Sequence, residues 1–329
     1  MATAATQSQP SSPSQPSPQS QPSSQTQSRA PRTVLVAGAS GFLGRHLVRH
    51  LERRGDVVRR LVRRAPATPS EFRWDPDTGA LEPTALAGAE VVVNLGGASM
   101  GRVPWTRAYK DEIRFSRIRG THLLAEAIAR MPRPEGRPVR MLQAGGADVY
   151  GDRGNEVLDE TSAPGPGFFA EICQDWEAAT EPARESGAEV VVLRSGAVLA
   201  PSGGALGPLL LLLRAGLGGR LGSGESWWPW ITLVDHVRAQ LHLIDSRVTG
   251  PVNLVAPDTA RQIEVARALA RARRRPAPMV APKSLLRLAG DDFADFLTSS
   301  HRVVPRVLQD DGFTFRHPDL TSAARWVAQ

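Results

Sequence analysis

The first cluster of apolar side chains is a run of four, Val34-Leu35-Val36-Ala37. A short unbroken run of this kind predicts a strand buried on both faces. It leads directly into Gly38-Ala39-Ser40-Gly41-Phe42-Leu43-Gly44 and a helix-period segment with Leu43, Leu47 and Leu51 on one face, closed by Gly55. A second apolar stretch runs from Val57 to Val62. Strand, glycine turn, helix and strand form the unit that sets a dinucleotide pyrophosphate on a helix N-terminus.

The pattern continues in the same alternation. Val91-Val92-Val93 ends in Asn94-Leu95-Gly96-Gly97, a buried strand followed by a turn. Trp105 to Met131 predicts a long helix with Ile113, Ile118, Leu124 and Ile128 inside, followed by a strand over 139–144. Phe168 to Ser186 predicts a helix, Val190 to Val198 a strand, and Pro251 to Ala256 a late strand. Strands separated by helices predict an α/β fold with a doubly wound parallel sheet of Rossmann type. The expected division is a tail over 1–30 and a dinucleotide-binding domain over 31–200, completed by about 234–257. Residues 201–233 and 258–329 would form a small C-terminal substrate-side domain.

Composition changes this picture mainly at the ends. The first 30 residues are nearly all Gln, Ser, Pro, Thr and Ala. They offer too little apolar surface to offset ordering entropy, so a disordered tail is expected. With no basic start and no apolar core segment, the tail does not read as a secretory signal. The longest apolar run, Leu209 to Leu213, is far short of a membrane span. A single cysteine, Cys173, rules out an internal disulfide and suits a reducing cytoplasm. Seven scattered histidines give no metal-ligand spacing. The net charge of +7 is carried mainly by arginine. The cluster Arg271 to Arg275 lacks the interleaved aromatics of a nucleic-acid surface, so no nucleic-acid or membrane partner is expected.

The chemistry concentrates where strands end. In the first turn, one glycine permits the bend, one lets backbone approach phosphate, and one lets the helix pack on the strand. The expected cofactor contacts are Gly38, Ser40, Gly41, Phe42, Leu43 and Gly44, with Asn94, Leu95 and Gly96 at the next strand end. An NAD-selective site carries Asp or Glu about 20 residues past the glycines. This chain has Arg63-Arg64 there instead, and guanidinium groups suit the 2′-phosphate of NADP(H). Further along, Gly203-Gly204, Gly218-Gly219 and Gly222-Ser223-Gly224 lead into Trp227-Trp228-Pro229-Trp230. Glycines that let backbone fold over a ligand, followed by clustered indoles, suggest a wall facing the nicotinamide, together with residues from Arg261 onward. Core tryptophans under a surface loop are the alternative. Lys110 and Arg117, seven apart on the long helix, are candidates for an anionic group of a small-molecule substrate; solvated helix charges are the alternative.

Taken together, GASGFLG at 38–44, NLGGA at 94–98, Trp105-Thr106, Lys110, Ser116-Arg117, Val149-Tyr150-Gly151 and Trp176-Glu177 resemble the extended short-chain dehydrogenases/reductases. Leu193-Arg194-Ser195-Gly196, Trp230-Ile231, Asp235, Arg302 to Pro305 and Gly312-Phe313 extend the likeness to residue 326. It is narrowest with the atypical "epimerase family protein" branch of the NAD(P)-dependent epimerase/dehydratase family. The resemblance implies a Rossmann fold, NADP(H) as cofactor, and Trp230 and Asp235 at the junction with the substrate side. Typical members use a Ser or Thr, a Tyr and a Lys four residues later, because an unassisted phenol near pH 10 is a poor base at neutrality. Counting from the matched motifs, these positions fall on Gly145, Phe169 and Cys173, so the usual trio is absent. Tyr150 is the nearest remaining phenol, although packing at a strand-end turn explains it as well.

The reading is therefore an NADP(H)-binding epimerase- or oxidoreductase-like protein of unassigned substrate. The alternative is a catalytically weak or inactive NADP(H)-binding sensor or interaction module. Deleting residues 1–30 is expected to leave the melting temperature and cofactor affinity unchanged. A fall of several degrees in a thermal scan would show that the tail docks on the domain.

Overall fold

The computed structural model describes residues 1–4, 30–132, 138–204, 207, 211 and 218–329. Pro31–Gln329 form one compact unit. The tail expected over 1–30 lies almost wholly outside the described residues, as does the Leu209–Leu213 run apart from Leu211.

The opening unit folds as its pattern requires. Strand β1 (Thr33–Ala37) is followed by helix α1 (Phe42–Arg53) and strand β2 (Val57–Val62). Next come β3 (Glu71–Asp75), β4 (Ala80–Leu81) and β5 (Val91–Asn94), then helix α2 (Arg107–Ala129) and β6 (Arg140–Gly146). Among the described residues, the central sheet has eight strands. Their spatial order is Gly250–Leu254, Glu189–Ser195, β6, β5, β1, β2, β3, β4. All neighbours are parallel except β3 and β4. The order reverses between β1 and β5, the switch point of a doubly wound sheet and the place where such sheets bind ligands.

Strand alternation builds two cores. Val34 and Val36 of β1 face a layer with Leu47 and Leu51 of α1 and Leu243 and Ile244 of the helix Leu233–Asp245. Leu35 and Ala37 face the opposite layer with Leu124 and Ile128 of α2. Successive side chains point to opposite faces, so an unbroken apolar strand is what a sheet covered on both sides demands.

Several boundaries depart from the expectations. On α2 the buried stripe runs through Ile113, Arg117, Gly120, Thr121, Leu124 and Ile128, while Ile118 is only half-buried. Ile118 follows Ile113 by five residues, which rotates it off the stripe; Arg117, at four, lies on it. The helix expected over 168–186 is two: α3 (Phe168–Ala178) and Glu181–Glu185. Pro182 has no N–H to continue the ladder, and Thr180 turns its hydroxyl back to the Glu177 carbonyl at 2.6 Å. The strand expected over 190–198 ends at Ser195. Gly196 then carries the chain over to a short parallel pairing of Ala197–Leu199 with Trp230–Thr232. A Cβ at Gly196 would lie 2.6 Å from the Pro229 carbonyl oxygen, so only glycine permits that close approach.

Beyond the C-terminal ends of the central strands the chain makes small two-stranded pairings. Trp227–Trp228 pairs with Ala260–Arg261, and Arg302–Val303 with Val157–Leu158. Helices Gln262–Ala272 and Leu320–Ala328 close a further core around Trp230. Asp235 anchors this region. Its fully buried carboxylate accepts from the backbone N–H of Arg316 at 2.7 Å and His317 at 2.8 Å, from Thr232 Oγ1 at 3.0 Å and from Arg238 Nη1 at 2.9 Å. Asp235→Ala strands the part-buried Arg316 and His317 backbone donors and is expected to destabilise the fold by about 2–5 kcal/mol. Chemical denaturation would read this as a lower midpoint at unchanged slope; an unchanged midpoint would contradict the anchor.

Candidate active site at the ends of the central strands

The glycine turn has the three separate constraints its spacing implies. Gly38 adopts φ 75°, and a Cβ there would fall 2.7 Å from the Leu95 carbonyl, so β1 and β5 end in direct backbone contact. A Cβ at Gly44 would fall 2.1 Å from the Gly38 carbonyl oxygen, which lets α1 press onto the strand. Gly41, the N-cap of α1, is exposed and would meet only the Gly38 oxygen at 3.1 Å. No side chain caps α1, and its first turn holds no acidic residue. The first N–H groups of a helix lack intrahelical partners, so those of Phe42, Leu43 and Gly44 form an anion-accepting end at the crevice, with Ser40 exposed at its lip.

The next turn supports this one. Asn94 is buried and its side chain is consumed internally: Nδ2 donates to Thr121 Oγ1 and Gln143 Oε1, and Oδ1 accepts from the Gly96 N–H at 3.1 Å. It fixes the Leu95-Gly96-Gly97 backbone and has no polar atom to spare for a ligand. Arg117 lies beneath that loop, where a Cβ at Gly97 would sit 3.3 Å from its Cζ. Its guanidinium donates to the Ile113 and Ala98 carbonyls, stacks 5.1 Å from the Trp176 ring, and leaves a buried Nε without a partner.

The arginines after β2 are not equivalent. Arg59 is spent on the carbonyls of Thr84, Ala85 and Ala87, and Arg60 on Glu52 and Ser70. Arg64 makes a two-pronged pair with Glu71 at 2.8 and 2.6 Å, holding that carboxyl down to about 2. Arg63 is exposed and, among the described residues, has no hydrogen-bond or ion-pair partner. Of the four, it is the guanidinium still available to an anion.

The expected substrate-side residues are not brought together. Lys110 pairs with Asp292 at 2.7 Å and stacks on Phe168, whereas Arg117 is buried. Trp230 is a core residue at 1 % exposure and Asp235 the buried anchor described above. Tyr150 is likewise interior: its hydroxyl donates to Asn253 Oδ1 at 2.8 Å and accepts from Arg194 Nη1 at 3.0 Å. Burial raises its pKa, against the pull of Arg194. Full burial and two hydrogen bonds are the placement of a packing residue.

Phe169, at the expected phenol position, belongs to an aromatic cluster. Trp105, Phe169, Phe293 and Phe296 contact one another at ring-centre distances of 5.3–6.4 Å. Trp227 lies elsewhere, held between the Arg261 and Arg302 guanidiniums.

The model of the NAD dependent epimerase/dehydratase family matches residues 34–255, and a domain of unknown function, DUF1731, matches 281–327. This chain belongs to the NAD dependent epimerase/dehydratase family. The epimerase family protein Mb2239 of Mycobacterium bovis is 39% identical over 296 residues, 89% of this chain and 97% of the relative. The crystal structure of human epimerase family protein SDR39U1 with NADPH superposes with a TM-score of 0.82 at 33% identity, covering 90% of this chain and 99% of that one. A nucleoside-diphosphate sugar epimerase from Corynebacterium glutamicum gives 0.73 at 32% identity, covering 91% of this chain and 59% of its own.

Within the epimerase family pattern, one assigned position shifts. A Cβ at Gly145 would meet Val192 Cγ1 at 2.9 Å and the Leu193 carbonyl oxygen at 3.3 Å, so that position points into the neighbouring strand. A Cβ at Gly146 would lie 3.1 Å from Cys173 Sγ, the residue at the expected lysine position. Gly146, one residue later, therefore faces the site where a hydroxyl was expected at 145. Cys173 is fully buried; that burial, then the charges of Asp148 and Glu177, push its thiol well above the ordinary range, so it stays protonated. Asp148, which flanks Tyr150 in the sequence, also reaches this point. Its carboxylate oxygen lies 3.2 Å from the same Gly146 point, and only the turn Asp148-Val149-Tyr150 hinted at its place.

Proposed function

We propose that this chain binds NADP(H) and acts as an oxidoreductase of the epimerase family on a small molecule of largely apolar character. The observation that carries the cofactor choice is the division of labour after β2: Arg64 neutralises Glu71 while Arg63 stays free. The glycine cradle at Gly38, Gly41 and Gly44 and the uncapped end of α1 suit the pyrophosphate. Arg63 suits the 2′-phosphate, since a guanidinium meets phosphate through two parallel hydrogen bonds. The NADPH present in the SDR39U1 crystal structure supports the same choice. A bound nicotinamide would supply or accept hydride; the chain's own part is to hold it against the aromatic wall of Trp105, Phe169, Phe293 and Phe296 and to exclude water there.

A second reading, a cofactor-binding sensor with little turnover, is favoured by one observation. Gly146, Phe169 and Cys173 stand where typical relatives carry hydroxyl, phenol and ammonium, and none of the three exchanges a proton easily near neutrality. Both readings predict the same binding behaviour.

In calorimetric titration, NADPH is expected to bind at least about tenfold more tightly than NADH, the equivalent of roughly 1.4 kcal/mol. Arg63→Ala removes most of that preference, Arg64→Ala less, and Gly41→Val abolishes both by placing side-chain bulk against the pyrophosphate. Equal affinities in the parent protein would overturn the Arg63 assignment.

Positioned acid–base groups contribute about 10²–10⁴-fold. Without the phenol–ammonium pair, no measurable epimerase or dehydratase activity is expected on UDP- or GDP-sugars in a product assay. Turnover of such a sugar at ordinary enzymatic rates would refute this.

A further inference from the structure

A second guanidinium beside the crevice is unspent. Arg45 follows the N-cap Gly41 of α1 by four residues, and its backbone N–H closes the first helical turn onto the Gly41 carbonyl at 3.1 Å. A helical side chain leans towards the N-terminus and covers the turn before its own Cα. Arg45 does so: its Cζ stands 5.6 Å from the centre of the Phe42 ring, the first residue of α1. It is exposed, and among the described residues its guanidinium has no hydrogen-bond or ion-pair partner. The chain leaving Ala197–Leu199 crosses the same ring. A Cβ at Gly203 would fall 3.1 Å from Phe42 Cδ2 and 3.5 Å from Arg45 Nη2, and one at Gly204 would fall 2.9 Å from Phe42 Cε1. Both glycines are left-handed, at φ 81° and 74°, so their backbone lies flat on Phe42 beside the guanidinium.

This arrangement runs against the usual charge order of a helix. A helix start favours acidic side chains and disfavours cations, because its free N–H groups are already positive. Here the first turn holds no acid and no cap, and Arg45 is folded back over it. His46, edge-on to Phe42 at 6.0 Å, is held below the ordinary imidazole range, first by burial and then by Arg45, Arg49 and His50. Such a concentration of positive charge is the complement of a doubly charged anion. We propose that Arg45 is a pyrophosphate-binding residue of this site, donating across the open end of α1, and that Gly203 and Gly204 are positioning residues that hold Phe42 and Arg45 there. The proposal rests on the NADP(H) reading above. It divides the work between two guanidiniums. Arg63 meets the 2′-phosphate and sets the choice of NADPH over NADH, while Arg45 meets the part that both nucleotides share. Arg45 therefore sets absolute affinity and is blind to the 2′-phosphate.

Calorimetric titration of the full chain at low salt tests this with NADPH, NADH and adenosine 2′-monophosphate, which carries the 2′-phosphate but no pyrophosphate. Arg45→Gln is expected to weaken NADPH and NADH by a common factor of about ten, the scale of one charge-assisted contact. The ratio of the two affinities, and the affinity for adenosine 2′-monophosphate, should stay as in the parent. A loss confined to NADPH would move Arg45 to the 2′-phosphate and overturn the proposal; unchanged affinity for both dinucleotides overturns it as well. Removing a cation from a helix start should leave the melting temperature of the unliganded variant equal or higher. A fall of several degrees would mark Arg45 as structural and count against the proposal. Gly204→Ala, which drives a Cβ against Phe42, should also weaken both dinucleotides by a common factor, and unaltered affinities would overturn the positioning role. Arg45→Gln changes an exposed side chain, so it decides the matter even if Gly204→Ala does not fold. Parent protein that binds neither dinucleotide overturns the cofactor reading itself. Parent protein that binds both with no dependence on Arg45 overturns this proposal alone.

Discussion

The contact on which the rest of the site depends is the backbone approach at Gly38. Its carbonyl lies so near Gly44 that any side chain there would collide, and its α-carbon abuts the Leu95 carbonyl. Two glycines thereby bring β1, α1 and the loop after β5 together at the switch point of the sheet. Once they are pinned, the open end of α1 must face the crevice, and Asn94 must turn inward to hold the second loop. Arg117, Thr121 and Trp176 then fill the space behind it, with Trp176 Nε1 donating to Thr121 Oγ1 at 2.9 Å.

A strongly basic chain would be expected to display many free cations, yet most of the arginines around this crevice are spent. Arg59 and Arg60 brace the sheet edge, Arg194 joins Glu177 to Tyr150, and Arg64 cancels Glu71. Exposed pairs of this kind add little stability. Their consequence is local: pairing Arg64 with the one nearby carboxylate leaves Arg63 with no competitor, so the electrostatic sign at the end of β2 rests on a single side chain.

The fold is that of the family, and the residues at the ends of its central strands are this chain's own. At the positions where the hydroxyl, phenol and ammonium were expected, this chain has a glycine, a phenylalanine and a buried cysteine. Removing side chains made room for others: the bare backbone of Gly146 admits Asp148, and Phe169 joins an aromatic cluster with Trp105 and Phe296. Fold alone does not decide chemistry.

The sequence by itself determined the central sheet, the glycine turn and the sign of charge after β2, because these are local. Apolar runs, helical spacing and three glycines act within a few residues of one another. The expectation that the usual trio is missing also rests on residue identity alone, which needs no geometry. It misplaced the hydroxyl position by one residue because strand alternation had to be read from Val192 and Cys173, both distant in sequence. Only tertiary structure decided which charged residues were free. Lys110, Asp235 and Tyr150 looked available as residue types, but Asp292, the Arg316 and His317 backbone, and Asn253 with Arg194 had already taken them. Those partners lie up to about two hundred residues away, and a side chain's availability is set by what the fold brings to it.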